Sequence, residues 1–591
     1  MGKNAEYFIN EVESDIRNFR WEHQRANKFI EALKIYEGMG DNLKAQKMEF
    51  EVYLFYLRFS DIKNNQKNWK RFAPMWEYNN GSVFPDPNSI PDEALDYYEK
   101  RAEETKNPIH KARYCDIIWE KRKKHLFARN AIDAYLECVP IYLENDWQSE
   151  MADCFQRSAE LALSLNDDEL IKQVKERILG TMGILVDNKK LRFCLELIDA
   201  LKEMKEKANV IDFEKAINIS LKCVKYYKNE VKDGFHIERD FLEEIIDLYR
   251  ILGDQDNALI FQYKVAESYE REAKWKLHNY PNGNSVAASF YTDALNEYIR
   301  LGRSKNSEKI NGLKIKIKEH NKKAMESEFK VFSVPIKIPS NAIGKYLNMF
   351  DELSIQGSLE YLAKDSNLLP NIEDLRDQIE KERVELPLSY ILPRSSLRNA
   401  NVVVQSTTDE EIFEDLLIQR IDMHCKQNYM LLGKVFDYLK TQKGLDTKSL
   451  ADYLSHSDIF EKENLEIILV GIDRYFEKDY VSAIHVLIPQ IEAVLRRILL
   501  KVGLSTTKSK NEDIIHEKTL YTVLNDLKSK LNGNFWYYLK TFLVDQRGEN
   551  LRNDVAHGLL EINRCTKGIT EVLIHQLILL TEYGEIETGN D

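Results

Sequence analysis

Cysteine is scarce in this chain and spaced wrongly for common cysteine chemistry. The seven cysteines, Cys115, Cys138, Cys154, Cys194, Cys223, Cys425 and Cys565, are odd in number and include no C-x-x-C pair. That excludes an obvious zinc site or disulfide framework and fits a reducing cytoplasm. Proline and glycine are sparse as well, at 13 and 23 of 591 residues, so disorder is not the default reading. Long apolar runs are missing. The richest, Val572 to Leu580, is broken by His575 and Gln576, far from the roughly 20 residues of a membrane span. The opening Met1-Gly2-Lys3-Asn4-Ala5-Glu6-Tyr7 is polar where a signal peptide needs an apolar stretch. A soluble cytoplasmic protein without membrane association is expected. There is no surplus of positive charge either. The formal net charge is −13, which argues against indiscriminate nucleic-acid binding because a phosphate polymer is repelled at long range. A local basic site remains compatible with it.

What is present is helical patterning. With 43% hydrophobic and 31% charged residues, the chain reads as globular, and it is too long for one hydrophobic core. Up to about residue 330, apolar residues recur at threes and fours, as in Tyr53, Leu54, Tyr56 and Leu57, or Ala131, Ala134, Tyr135, Cys138 and Val139. A degenerate signature recurs too: Tyr36-x3-Gly40-x4-Ala45, Tyr249-x3-Gly253-x4-Ala258 and Tyr298-x3-Gly302-x4-Ser307. Each copy places an aromatic near the end of one helix, a glycine at the turn, and a small residue where the next helix packs. Tetratricopeptide repeats use this arrangement. Here, however, 49 residues separate Tyr249 from Tyr298, longer than the roughly 34 of that repeat.

The expected architecture is therefore all-α. Residues 1–330 form an irregular, TPR-like α-solenoid, 331–410 a short mixed connector, and 411–591 a helical region whose bundle covers about 465–585. Turn-rich breaks at 72–91 and 279–284 should connect helices over the surface. In the connector, Val331 to Pro339 alternates like an extended segment, and Leu386-Pro387-Leu388-Ser389 with Asn401 to Gln405 can pair as a hairpin. A solenoid usually offers a concave surface to a protein or peptide; a plain helical domain with no ligand is the alternative. The basic run Lys121-Arg122-Lys123-Lys124 reads as a solvated helix face or as a track for a phosphate backbone.

Chemistry concentrates in Arg547-Gly548-Glu549-Asn550-Leu551-Arg552-Asn553-Asp554-Val555-Ala556-His557-Gly558. If the segment is helical, Asn553 and His557 share a face, and the amide can fix the imidazole tautomer. Arg552 and His557 are five apart, about 140° around the helix, so one subunit does not close them on a small ligand. Two copies about a two-fold axis can. Gly558 suits the left-handed position that ends a helix, leaving His557 in the last turn. An arginine fork for phosphate and a histidine for proton transfer suffice to cleave RNA through its 2′-hydroxyl, with no metal or other cofactor. In the bland alternative Arg552 pairs with Asp554 or Glu549 and His557 only caps a helix.

Upstream, Asp479 is a good N-cap for a helix to about Val502. Its apolar stripe is Ala483, Ile484, Leu487, Ile488, Ile491, Val494, Leu495 and Ile498, and Pro489 should kink it. Beside that stripe lie His485, Glu492 and Arg496. Glu492 holds Arg552 in place or accepts a proton from His557, or else pairs with Arg496 four residues on, and His485 reads as a satisfied histidine at the core edge. Arg547 either holds a flanking phosphate or is a turn residue with an exposed charge.

The string Leu543 to Leu560, with Arg552-Asn553-x3-His557, and the segment Tyr475 to Glu492 resemble one bacterial branch of the HEPN superfamily of four-helix domains. Many members are dimeric RNases with an R-x4-6-H motif and a polar residue after the Arg, and they are often toxins or anti-phage effectors. The resemblance covers about 465–585. It implies a homodimeric, metal-independent endoribonuclease with Arg552, Asn553 and His557 in the site and Glu492 and Arg547 in support, and a protein or phage-derived trigger on the N-terminal helical region. The alternative is a non-catalytic α-solenoid scaffold on an inactive dimerising or nucleotide-binding bundle. Leu559 stands where some members carry a tyrosine that a partner adenylylates, so silencing by that route is not expected.

Overall fold

The computed structural model describes residues 4–15, 17–59, 71–79, 81–330, 340–511 and 514–584. The chain divides into two compact units, Met1–His320 and Asn321–Asp591. The fold is all-α, as the periodicity predicts, with a few two-stranded ribbons.

In the first unit, successive helices pack on their chain neighbours: Glu22–Gly38 on Asn42–Tyr56, Pro108–Arg122 on His125–Glu144, and Gln255–Asn279 on Gly283–Arg300. Side-chain oxygens of Asn4, Asp41, Asn107, Asp167, Asn209 and Asp254 accept from first-turn N–H groups and start six of the helices. The repeat signature lies at helix turns. Its glycines take positive φ, +73° at Gly40, +75° at Gly253 and +116° at Gly302, where a Cβ would be strained. Tyr36, Ala45, Ala258 and Tyr298 are buried. The third copy departs from the pattern. Ser307 is exposed, and its neighbour Asn306 is buried and donates to the carbonyls of Tyr298 and Gly302. The break at 72–91 is more ordered than its turn composition predicts: Arg58–Phe59 pairs with Phe72–Ala73, and Trp76–Glu77 with Val83–Phe84. In the basic run, Arg122 contacts Asp96 and Glu99, Lys123 contacts Glu120, and Lys124 contacts Glu99. These pairs make it an ion-paired helix surface.

The second unit takes in most of the expected connector, although the extended segment expected at Val331 to Pro339 lies outside the described residues. The hairpin there has one different strand. Arg394–Arg398, not the stretch at 386–389, pairs with Asn401–Ser406. Asn399 and Ala400 at its tip have φ of +50° and +61°, the two-residue turn whose twist matches the strands. Leu388–Ile391 is a short helix started by Pro387, whose fixed φ favours a first helical turn. Asp409–Lys443 runs unbroken for 35 residues between a Thr408/Glu411 capping box and left-handed Gly444. Tyr480–Lys501 starts at Asp479, buries the whole predicted stripe and continues through Pro489. Both pack on Lys567–Leu580, in which every residue from Ile569 to Leu580 is buried. A helix enclosed on all sides explains why the richest apolar run sits here, and the bundle extends upstream of 465 to include Asp409–Lys443.

Candidate functional site

The site is built on the turn between helix Gly533–Leu543 and the short helix Leu551–Ala556. Asp545 organises the turn. Its carboxylate accepts the Arg547 backbone N–H and, at 2.9 Å on each oxygen, the Nε and Nη2 of the Arg547 side chain. Arg547 is thereby an ion-paired, largely buried turn residue, 12% exposed, and not one with an exposed charge. Desolvation opposes ionisation of Asp545, and Arg547 outweighs it, holding the carboxyl below its usual range. Gly548 is required by close approach: a Cβ there would lie 2.3 Å from the Thr541 carbonyl oxygen.

The two acidic residues of the motif are taken by cations that sequence reading did not place here. Asp554, 2% exposed, accepts from Arg398 of the hairpin at 2.6 Å and from Arg564. The Glu549 carboxylate meets Arg564 at 2.9 Å and Lys426 at 3.2 Å. Burial disfavours its charge, but Lys426 and Arg564 prevail and lower its pKa. Arg398 and Arg564 also donate to the Glu549 carbonyl, at 2.6 and 2.7 Å. These charge-assisted bonds fix the loop from three directions in sequence. Arg564, ten residues beyond Asp554, was discoverable as a nearby cation. Arg398 left no local signal, being more than a hundred residues away.

With those acids occupied, Arg552 turns to Glu492. Its Nε donates to Glu492 Oε2 at 2.9 Å, while Arg496 Nη2 donates to Oε1 at 2.6 Å. The two arginine pairings expected of Glu492 hold together, since each oxygen serves one arginine. Arg552 Nη1 reaches the Asn553 side-chain oxygen at 3.3 Å, and Nη2 donates to no described protein group. The Arg552 side chain is 27% exposed.

Asn553 is placed differently from expectation. Its side-chain amide donates to Asn550 Oδ1 at 2.7 Å and to the Val544 carbonyl at 3.5 Å and not to the His557 imidazole, although the His557 backbone N–H donates to the Asn553 carbonyl at 3.0 Å. The physical reason is that the helix is only six residues long and begins at left-handed Asn550, whose side chain competes for the amide at short range. His557 is the C-cap. Gly558, at φ +66°, donates to Val555 and Leu559 donates to Asp554, the paired bonds of a glycine-terminated helix end. The imidazole is exposed and hydrogen-bonded to no described side chain. His485 is exposed rather than at the core edge, with Nδ1 2.7 Å from the Val481 carbonyl. Among the described residues there is no group of three or more His, Cys, Asp or Glu that could hold a metal ion, and no helix is long and apolar enough to cross a membrane.

Fold and site together describe an all-α protein with an arginine and a histidine presented at a clamped turn. Residues 14–174 match the family model described as Domain of unknown function (DUF7380). No curated protein matches. Among solved structures, the chain is similar at 13% identity to a "Circular tandem repeat protein with novel repeat topology and enhanced subunit contact surfaces", over 94% of this chain and 97% of that one, with a TM-score of 0.14.

Proposed function

We propose that the chain is a homodimeric, metal-independent endoribonuclease of HEPN type, acting as an effector of anti-phage defence or of a toxin system. The observation that carries this is the division of the Arg552 guanidinium. One edge is fixed by Glu492, Nη2 is left for a phosphate oxygen, and His557 is exposed five residues on with its ring nitrogens unengaged by protein. Arg552 then neutralises the charge that develops on the phosphate, and His557 moves the 2′-hydroxyl or leaving-group proton. The 50% exposed Leu559 and 76% exposed Ile562 follow directly, and apolar residues beside the motif suit an isologous contact that brings two motifs together. The defence role rests on the family resemblance.

The scaffold reading draws on Asn553, which is turned away from the imidazole it was expected to orient. Incubating RNA with the protein in EDTA, beside Arg552→Ala and His557→Ala, decides between the two. Cleavage to 2′,3′-cyclic phosphate ends is expected from the wild type. It should fall by about a hundredfold or more in each variant while light scattering still reports a dimer. Intact RNA with every folded dimer would transfer the proposal to the scaffold.

A further inference from the structure

The first unit carries an open groove of about 570 Å³ in which free positive charge and aromatic surface occur together. It lies between helices Val210–Asn229 and Gln255–Asn279, beside the start of Phe235–Ile251. Its volume falls in the roughly 300–1,000 Å³ range of ligand sites, and because it is open to solvent a segment of a longer polymer can lie in it.

The lining holds four Lys or Arg side chains against one carboxylate, that of Glu230, in a chain whose net charge is −13. Lys228, Lys232 and Lys274 are exposed, and their ammonium groups pair with no described residue. Arg271 is committed to Glu238. Asp233, in the loop beside the groove, is held through both oxygens by Lys276 at 2.9 Å, so it does not neutralise the three lysines. A second groove of the same unit differs: its cations are spent on its own acids, Arg250 on Asp247 and Arg300 on Glu297.

The aromatic surface is fixed in place. On helix Gln255–Asn279, Arg271, Lys274 and Trp275 share a face through three- and four-residue spacing. The Trp275 ring centre is 6.0 Å from those of Phe235 and Tyr280, and the ammonium of buried Lys276 lies 5.2 Å from it. Phe235 and Trp275 both line the groove and stay part-exposed. Flat rings beside free cations are the two components by which proteins hold single-stranded nucleic acid: bases stack on the rings, and phosphates meet the cations. A duplex keeps its base faces inside, and a run of carboxylates uses the charge alone.

We propose that this groove binds a short stretch of single-stranded nucleic acid, with a base on Trp275 and Phe235 and the flanking phosphates on Lys228, Lys232 and Lys274. The overall negative charge of the chain does not steer a strand toward it, so the lysines act at contact, over the roughly 8 Å that physiological salt leaves unscreened. Binding is therefore sensitive to salt. It is independent of the ribonuclease reading, whose residues all lie in the second unit.

Fluorescence anisotropy of a labelled deoxythymidine strand of about eight nucleotides, titrated with the full-length protein, tests this. Deoxyribose lacks the 2′-hydroxyl on which the proposed cleavage depends, so the probe survives if that reading holds and still binds if it fails. Saturable binding is expected, at least about tenfold tighter than to a duplex of the same length or to polyglutamate. Combining Lys228→Ala, Lys232→Ala and Lys274→Ala, all at exposed positions, should weaken the single strand at least about tenfold and flatten the slope of log affinity against log salt by about 2. Trp275→Leu should weaken it at least about threefold with little change in that slope. Circular dichroism checks that both variants fold. If Trp275→Leu does not, the preference for single strand over duplex carries the aromatic contribution. The proposal is overturned by an absence of saturable binding or by unchanged affinity in either folded variant. Duplex binding as tightly as the single strand would also overturn it, as would equal binding of polyglutamate, which would assign the groove to an acidic protein instead.

Discussion

Glu492 serves two guanidinium groups at once, and its replacement separates positioning from chemistry. Glu492→Gln keeps the shape but removes the charge that orients Arg552 and pairs with Arg496. Because the Arg552 side chain is 27% exposed, water replaces part of the lost interaction, so the effect should be moderate. On the ribonuclease reading, kcat for RNA should fall about tenfold, which corresponds to roughly 1.4 kcal/mol, with KM changing by less than about threefold. A purely structural role would lower stability and leave kcat per folded molecule unchanged. That outcome, read from steady-state kinetics beside a denaturation curve, would remove Glu492 from the site.

At the level of elements, the motif turn and the enclosed helix each carry a testable constraint. Gly548→Ala forces a Cβ to within 2.3 Å of a backbone oxygen of the preceding helix, which cannot move without disturbing that helix. A loss of about 2–4 kcal/mol in urea unfolding is expected. At Gly558, where φ is +66° but the space is open, alanine should cost only about 1 kcal/mol. Equal losses at the two positions would refute the close-packing account. Helix Lys567–Leu580 adds a pH dependence. His575 is fully enclosed, with Nδ1 3.4 Å from the Tyr538 hydroxyl, and burial lowers its pKa to about 4. Between that value and the unfolded pKa of about 6.5, the unfolded chain binds a proton that the folded one refuses. Stability from this group is complete above about pH 6.5 and declines toward pH 4, by up to roughly 3 kcal/mol. Glu571, raised by burial, has the opposite sign, so the comparison is with His575→Gln. The variant's unfolding free energy should fall less than the wild type's over that window, and parallel curves would contradict it. Helices such as Tyr480–Lys501 were legible because cap and apolar period are local signals in the sequence. The ligation of Asp554 by Arg398 was not, since a hairpin and a turn 156 positions apart share no pattern. The Asn553 placement was misjudged because angular arithmetic assumes a longer helix than the six residues present.

For the molecule as a whole, the decisive property is that each unit has its own core. The large cluster of the second unit runs from Phe350 to Leu580 and, among the described residues, draws on none before 340. The hydrogen bond from Asn321 to the Ala400 carbonyl is one polar contact that cutting at 340 would remove, worth about 1 kcal/mol. Against a domain stability of about 5–15 kcal/mol, that loss is small. A fragment of residues 340–584 is therefore expected to be helical by circular dichroism and to melt in one cooperative transition. Its midpoint should lie within about 8 °C of the transition that Leu487→Ala, a buried change in the same core, shifts in the full chain. The motif elements from Arg398 through Arg564 all lie inside the fragment, so the ion pairs of Glu492, Glu549 and Asp554 are retained. Any RNA cleavage by the full chain should persist in it if the first unit only governs when cutting occurs. A fragment that melts without a cooperative transition would show that the core needs residues before 340. A well-folded fragment with no activity, beside an active full chain, would show that the first unit takes part in cleavage itself.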